Sequence, residues 1–428
     1  MSARSRASGE TGTAPGRCRP EPPAPPLGPV DPVIGARIPV PAPGTALPDS
    51  PRTGAHPVPE RGPLVEVVRD AAVLDSLAAE WDALVDRCSA ATPFQSHAWL
   101  SSWWHSYGRR GRLRVLTVRQ DGQLVAVAPL MLRHRLLPLL TPIGVGLTDF
   151  LDILLDDAHA QEVAPLLASA LARELHLNRP WAALDLRELR PGAAAHLLAT
   201  HWPGARRLLP DSLCQHLPGA PAEKLLSRLS GRTAQRFRFK LRKLEATGIE
   251  TRLVPAQEVP HAITELLALH ELQWRGRGVT TEHLRSRFAV HLRRSATRMV
   301  AADRAAVRQY RLHGALVACE LVLQGPDLVA LYLFGAHPVL RSQVDIAGML
   351  LRESLSHASE TGRGEFSLLR GDEPYKYHWR PEQRRNERLL LGGGPAVALR
   401  AGAIRGRRGA VRVLRKRLPL LVGRGTSR

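Results

Sequence analysis

The sequence predicts an α+β fold with a mixed sheet, divided into two successive units of residues 62–218 and 219–395. Extended apolar runs alternate with amphipathic segments in both stretches, as in sheets covered by helices. Each stretch also holds several extended runs separated by Gly, Pro or Asp-Gly, which is typical of an antiparallel meander. The 428 residues are 44% hydrophobic, enough for a sizeable core. No sequence repeat is visible, so the order of elements alone indicates the tandem arrangement.

The two ends of the chain differ from this middle part. Residues 1–61 hold 15 of the 35 prolines and almost no aromatic residue, so we predict a disordered leader. Residues 396–428 form a basic tail, which has ten Lys or Arg and no acidic residue from position 400 onward, against a formal net charge of +21 for the whole chain. The tail could make weak contact with nucleic acid or an anionic membrane, or it could be an arginine-rich disordered end.

The first unit opens with an extended run, PLVEVVRD, and a helix in which Leu77, Trp81 and Leu84 recur at helical spacing. A second helix, TPFQSHAWLSSWWHSYG, carries three tryptophans that we interpret mainly as core residues. Two extended runs joined by Asp121 and Gly122 predict a hairpin.

The rest of the first unit is expected to be strand, helix and strand. We interpret GVGLTDFLDILL as a strand that contains Asp149 and Asp152. Side chains three apart in a strand point to opposite faces, so these two are a poor paired-carboxylate site, although one could face a cleft between the units. A helix over residues 161–177 and the strand WAALDLREL follow.

The second unit is expected to begin with one long helix over residues 220–248, with Gly248 as its C-cap. Two more helices, three extended runs, a helix over 346–360 and a strand over 365–369 follow. The stretch LLRGDEPYKYHW, residues 368–379, then combines ionisable side chains with aromatic rings. Read alone, it is either a charged turn or a functional segment.

Several of these segments resemble one enzyme group. PFQSHAWLSSWWHSYG, TDFLDILL, LHELQWRGRG and GMLLRESLSHASETGRGEFSLLRGDEPYKYHW are similar to the CelD-type (BcsL-like) branch of the GNAT N-acyltransferase superfamily, from about residue 64 to 391. The resemblance implies tandem GNAT-like units whose sheet splays around an acyl donor. The group also resembles the FemAB-like enzymes, tandem GNAT units that take aminoacyl groups from tRNA.

Two departures from the family pattern concern the donor site and its surroundings. Superfamily members usually have a glycine-rich pyrophosphate loop after the splayed strand, where this sequence reads RSQVDIAGMLL and keeps only Gly348 before the helix. The family-like YKYRWG reads YKYHWR here, with Arg380 in place of glycine.

Four residues are predicted to be catalytic. The resemblance assigns Lys376 to a developing oxyanion or to donor phosphates, and Tyr375 could protonate the leaving group. Asp372, beside Glu373, could accept the amine proton, or could simply form a turn or pair with Arg370. Glu320 lies in the apolar run ALVACELVLQG, where burial would raise its pKa towards that of a general base. A structural pair with an arginine, or an open edge strand, would explain Glu320 equally.

Four further residues are predicted to bind the co-substrate: Arg236, Lys240, Gly348 and Arg341. Arg236 and Lys240 belong to a basic stripe on the predicted helix over residues 220–248, on the face opposite its apolar residues. The same stripe includes Arg232 and Lys243. Such a stripe could hold coenzyme A phosphates, a tRNA backbone or a phosphorylated carrier, or it could be a solvated helix face. Trp274 and Arg275 could line an acceptor pocket or belong to the core.

The four cysteines are far apart, and His97, His105 and His378 show no ligand spacing, so we expect neither a disulfide framework nor a bound metal. The first residues lack an apolar signal segment, and no uncharged run reaches the roughly 18 residues that span a bilayer. These observations predict a cytoplasmic protein.

The leading functional hypothesis is an N-acyltransferase that uses acyl-CoA, such as acetyl-CoA, as a co-substrate without a permanently bound cofactor. The amine acceptor would be a small molecule or a glycan, in polysaccharide or cell-envelope biosynthesis. A FemAB-like aminoacyl-tRNA-dependent transferase is the alternative within the class. A non-catalytic nucleic-acid or membrane-surface binding protein on a GNAT scaffold is an alternative from another class.

Overall fold

A computed structural model of the chain describes residues 62–134, 137–176, 181–275, 280–371 and 373–422, apart from the side chains of residues 176, 408 and 411–422. The predicted leader and Asp372 therefore lie outside the described residues. Within these residues, the first half of the chain has the strands β1 (Leu64–Val68), β2 (Leu113–Gln120), β3 (Gln123–Leu132), β4 (Leu139–Pro142), β5 (Leu154–Leu155), β6 (Ala183–Leu189) and β7 (Ala205–Pro218). Its helices are α1 (Ala71–Ser76), α2 (Ala78–Asp86), α3 (His97–Tyr107), α4 (Ala160–His176) and α5 (Ala194–Thr200).

The second half repeats this order of elements. Its strands are β8 (Glu250–Leu253), β9 (Ala305–Leu312), β10 (Ala315–Gln324), β11 (Leu328–Ala336), β12 (Glu365–Arg370) and β13 (Glu382–Gly392). Its helices are α6 (Ala222–Leu225), α7 (Gly231–Glu245), α8 (Val259–Trp274), α9 (Ser286–Ala301), α10 (Ile346–Glu360), α11 (Pro374–Tyr377) and α12 (Gly394–Val422). In both halves, one strand and two or more helices precede a three-strand antiparallel meander, a long helix and a strand parallel to the meander's last strand.

One sheet joins the two halves, in the order β1-β2-β3-β4-β6-β13-β7-β12-β11-β10-β9-β8. The final strand of each half lies beside the parallel strand of the other half, because β13 pairs with β6 and β7 pairs with β12. The predicted tandem α+β arrangement is therefore confirmed. The predicted boundary at residue 218 falls at the end of β7, and the sheet continues across it.

The parallel strands separate in both halves. β11 and β12 pair only from Leu328 to Ala330, and beyond this point they diverge. β4 and β6 pair only at Leu139 and Leu140. The splayed sheet implied by the resemblance is thus present twice.

The predictions that depended on short-range sequence patterns are confirmed for the tryptophan helix and the hairpin. Trp99, Trp103 and Trp104 of α3 are buried in a cluster formed by both halves. The predicted hairpin joins β2 and β3, where Asp121 and Gly122 have φ of 50° and 81°, as its tight turn requires. The tail is helical through Val422, as α12, and not the disordered end that the sequence left open.

Two predicted elements are wrong. GVGLTDFLDILL is mostly a loop, with only Leu154–Leu155 in β5, because the Asp152 carboxylate accepts hydrogen bonds from the backbone of Ile153, Ala194 and Ala195 and so caps α5. The long helix over residues 220–248 breaks at Leu229, whose ψ of 159° is extended, and α7 starts after Ser230.

The sequence prediction also missed β7 and β13, which lie at the centre of the sheet. Charged residues interrupt their apolar pattern, and the fold pairs these charges across strands. Arg388 of β13, for example, donates a 2.6 Å hydrogen bond to Asp185 of β6. Among the described residues, no helix is long and apolar enough to cross a membrane.

Candidate active site

A cavity of about 370 Å³ lies in the gap where β11 and β12 diverge, and we call it the strand-gap cavity. Its apolar wall consists mainly of Leu331 to Phe334 of β11, with Leu368 and Leu369 of β12. Its polar lining residues are Asp149, His270, Thr280, His283, Arg370, Glu373, Tyr375 and Lys376. The predicted residues Lys376 and Tyr375 therefore lie together at the opening of a splayed sheet.

A second cavity, of about 700 Å³, lies over the first turn of α10, and we call it the basic cavity. Four cations line it, Arg236, Lys240, Lys243 and Arg341, together with one carboxylate, Asp345. The two cavities share three lining residues: Trp274, Phe334 and Tyr375. A molecule that fills both cavities would pass these three side chains. Trp274 thus lines both cavities, whereas Arg275 lines neither.

The backbone around Arg370 is shaped by two unusual residues. Leu369 has a φ of +60° and Gly371 a φ of +128°, which turn the chain sharply at the end of β12. The φ of Gly371 lies in the region that favours glycine, and a Cβ atom there would also force the Glu373 carboxylate to move. This turn brings α11, and with it Tyr375 and Lys376, back to the gap.

Lys376 is held firmly in place. Its side chain is only 4% exposed, and Nζ donates hydrogen bonds of 2.7 Å to the Arg370 carbonyl and 2.9 Å to the Glu373 carboxylate. Tyr375 is half-buried, and burial raises the pKa of its hydroxyl, with the Glu373 charge contributing. The hydroxyl is consequently protonated at neutral pH and can donate a proton.

One alternative from the sequence was a pair between Arg370 and Asp372, which lies outside the described residues. The structure gives Arg370 two other partners. Its guanidinium binds the Asp149 carboxylate and donates a 3.1 Å hydrogen bond to Glu188 of β6. Asp149 therefore reaches the cleft between the halves. Burial raises the Asp149 pKa, and the Arg370 charge opposes that shift.

Two histidines of the strand-gap cavity, His270 and His283, were not predicted from the sequence. His270 Nδ1 lies 2.7 Å from the Phe334 carbonyl oxygen, which can only accept, so this nitrogen carries a hydrogen. In the neutral ring, His270 Nε2 is then an acceptor, and it lies 3.2 Å from His283 Nδ1. His283 Nδ1 must donate to it, which leaves the lone pair on His283 Nε2. Burial lowers the pKa of His283 to about 4, so this nitrogen is unprotonated at neutral pH.

The predicted co-substrate residues come together around the start of α10. Asp345 caps this helix, because its carboxylate accepts a 3.3 Å hydrogen bond from Gly348 N. Lys240 donates to the same carboxylate at 2.7 Å, and Arg341 donates to the Gln273 carbonyl at 2.6 Å. Arg236 is exposed on α7 and lines the cavity. The Asp345 carboxylate thus lies where a phosphate would meet Lys240 and the helix.

Glu320 is separate from the other predicted catalytic residues. It is fully buried in β10 and lines neither cavity; its carboxylate accepts hydrogen bonds from Tyr310 at 3.0 Å and Ser354 at 3.2 Å. Arg308 Nε lies 3.5 Å away. Burial raises the Glu320 pKa to about 7, with Arg308 opposing the shift. These contacts correspond to the structural alternative, a pair with an arginine.

Arg380, at the position where the resemblance implies glycine, has a φ of +47°, in the region that favours glycine. Its side chain is exposed and lines neither cavity. The substitution therefore leaves the space of both cavities unchanged.

Comparisons with known proteins agree with this geometry. Residues 231–377 match the family described as "Acetyltransferase (GNAT) domain". No curated protein matches the sequence. The crystal structure of FemX covers 75% of this chain and 98% of its own, with 11% identity and a TM-score of 0.54. This likeness shows the fold.

Two other solved structures are similar at lower scores. The C-terminal domain of a putative lysylphosphatidylglycerol synthetase from Agrobacterium fabrum has 13% identity, covers 77% of this chain and 96% of its own, and has a TM-score of 0.47. L-PGS from Bacillus licheniformis has 11% identity, covers 75% of this chain and 93% of its own, and has a TM-score of 0.46. The family match is confined to residues 231–377, and the CelD-type branch stays a prediction.

Proposed function

We propose that the chain transfers an acyl group from an acyl-CoA, such as acetyl-CoA, to an amine acceptor. The observation that carries this proposal is the meeting of the basic cavity and the strand-gap cavity at Tyr375, inside a GNAT-type domain. A donor with phosphates suits the first cavity, and an acceptor suits the second. The acyl carbonyl would then lie beside Tyr375 and Trp274.

The charge of the basic cavity supports a donor with several phosphates. Among the described residues, Arg236, Lys243 and Arg341 have no carboxylate partner, and Asp345 is the carboxylate partner of Lys240. Cations at the start of a helix are a favourable environment for phosphate oxygens. A donor phosphate would compete with Asp345 for Lys240.

The residues of the strand-gap cavity supply the groups that aminolysis of a thioester needs. The amine nitrogen attacks the acyl carbon, a C–N bond forms and the C–S bond breaks. We assign Lys376 to the oxyanion and the Tyr375 hydroxyl to protonation of the leaving thiolate. His283 Nε2, with its free lone pair, would accept the proton that the amine loses. Asp149 and the His270–His283 pair would orient the amine.

An aminoacyl-tRNA-dependent reaction is the second candidate. The FemX-like fold supports it, together with the sequence resemblance to FemAB-like enzymes, which use such donors. The exposed cations of α7 would then contact the tRNA backbone. A non-catalytic nucleic-acid or membrane-surface binding role is the remaining alternative.

The test is the release of coenzyme A thiol from acetyl-CoA in the presence of amine mixtures that contain amino sugars and polyamines. Amine-dependent release by the wild type, lost in Lys376→Met, would support acyl transfer. If acetyl-CoA and longer acyl-CoAs give no release, while aminoacyl-tRNA is deacylated in the presence of the same amines, the second candidate replaces the first. If neither donor is consumed, transferase activity is rejected.

A further inference from the structure

A third cavity, of about 620 Å³, lies in the first half of the chain, and it shares no lining residue with the other two. We call it the N-half cavity. One wall comes from the end of α3 and its connection to β2, and the other from the end of β3. The first wall holds Tyr107, Arg109 and Arg112, and the second holds Leu132, Arg133 and His134.

The polar side chains of this cavity are nearly all basic. Three arginines and one histidine line it, and no lining residue is acidic. The pKa of His134 is lowered by partial burial and by the charges of Arg133, Arg400 and Arg112. Arg400 of α12 approaches the same region, since it donates a 3.4 Å hydrogen bond to the Leu137 carbonyl. Positive potential is therefore concentrated at one concave site.

Other arginines in this half of the chain form ion pairs with carboxylates. Arg114, two residues after Arg112, forms an ion pair with Glu174 at 3.0 Å, and Arg119 pairs with Glu80. Among the described residues, Arg109, Arg112 and Arg133 have no such carboxylate partner. Like charges repel one another when nothing neutralises them, and a bound anion would remove that repulsion.

The cavity is also organised for an anion with an organic part. Arg112 Nη1 donates a 3.4 Å hydrogen bond to the Leu132 carbonyl, so this guanidinium is held between the two walls. Met131 and Leu132 are half-buried and offer an apolar surface next to the arginines. Guanidinium groups bind phosphate oxygens through pairs of parallel hydrogen bonds.

We propose that the N-half cavity binds a phosphate ester, with Arg109, Arg112 and Arg133 on the phosphate oxygens and Met131 and Leu132 against the esterified group. This site does not depend on the proposed acyl transfer. The same chemistry occurs in soluble organic phosphates and in the headgroups of anionic lipids, and the experiment separates these sources.

The test is calorimetric titration of the full-length chain with pyrophosphate, in an Arg236→Gln/Lys243→Gln background that weakens binding in the basic cavity. We expect one bound pyrophosphate, with affinity about tenfold lower in Arg133→Gln and in Arg112→Gln. Arg110→Gln is the matched control, because Arg110 is exposed beside Arg109 but does not line the cavity. Arg133 is exposed, so its substitution should leave the fold intact, which circular dichroism would verify.

A second arm uses flotation with vesicles of phosphatidylcholine alone and with an equimolar mixture of phosphatidylcholine and phosphatidylglycerol. Binding to the mixed vesicles only, lost in Arg133→Gln and displaced by pyrophosphate, would identify a lipid headgroup. Binding of pyrophosphate without binding to either kind of vesicle would identify a soluble phosphate ester. The proposal is overturned if neither probe binds, or if Arg110→Gln weakens binding as much as Arg133→Gln.

Discussion

Lys240 Nζ lies 2.7 Å from the Asp345 carboxylate, and the same carboxylate caps α10 through Gly348 N. An internal anion thus occupies the part of the basic cavity that best suits a phosphate. The sequence lacks a glycine-rich phosphate loop at this position. The Asp345 carboxylate instead makes the contacts with Lys240 and Gly348 N that a donor phosphate would make.

Replacing Asp345 with asparagine should strengthen donor binding. Asparagine keeps the helix cap, because it is as good an N-cap residue as aspartate, but it frees the Lys240 charge. We expect the dissociation constant of coenzyme A to fall about fivefold to tenfold, as for removal of one competing charge near a surface. Titration calorimetry measures this. Asp327→Asn is the control, because Asp327 accepts a hydrogen bond from Gly364 N outside the basic cavity. Equal effects of the two variants would contradict the assignment.

Replacing Lys376 with methionine should lower the transfer rate and leave donor affinity nearly unchanged. An oxyanion contact acts mainly in the transition state, and loss of one such donor typically costs about 10²- to 10³-fold in rate. Rates come from thiol release and affinities from calorimetry with coenzyme A. Lys224→Met, at an exposed position outside both cavities, is the control. Full turnover in Lys376→Met would refute the catalytic role.

Glu320 should make the protein less stable as the pH rises. Its pKa is raised from 4.5 to about 7, so the folded state holds a proton more tightly than the unfolded state does. The loss of free energy of unfolding caused by ionising this carboxyl is absent below about pH 4.5 and complete above about pH 7, where it reaches roughly 3 kcal/mol. Glu320→Gln should remove this dependence. Denaturant unfolding at several pH values tests it, and parallel curves for variant and wild type would contradict the buried, protonated carboxyl.

His283 should make the protein less stable as the pH falls. Its pKa is lowered from 6.5 to about 4, so the unfolded state binds the proton more tightly. The stability linked to His283 is complete above about pH 6.5 and is lost as the pH falls towards 4, by at most about 3 kcal/mol. His283→Gln should flatten this acid limb. An unchanged acid limb would show that the neutral His270–His283 pair does not form.

Local sequence patterns predicted the elements whose signals lie within a few residues. Asp121-Gly122 marks a hairpin through its turn conformation, and the spacing of Trp99, Trp103 and Trp104 marks a buried helix. Tyr375 and Lys376 were found through a resemblance, and the structure places them in a cavity. The cap at Asp345 could have been predicted, because it directly precedes the predicted helix.

Other features depend on contacts between distant parts of the chain. Arg370 and Asp149 are 221 residues apart, so no local pattern joins them. The histidine pair needs the Phe334 carbonyl, 64 residues from His270, to fix its hydrogens. Strand β13 looks like a polar surface segment in the sequence, because the partners that Arg384, Asn386 and Arg388 have on other strands are far away along the chain.

A donor site over α10 can be measured by calorimetric titration of the full-length chain with coenzyme A. We expect saturable binding of one molecule per chain, weakened at least about tenfold in Arg236→Gln/Lys243→Gln through lost charge-assisted contacts. Arg110→Gln should bind like the wild type, because Arg110 lies outside the basic cavity. Absence of binding, or equal weakening in the cavity variant and the control, would contradict a donor site over α10.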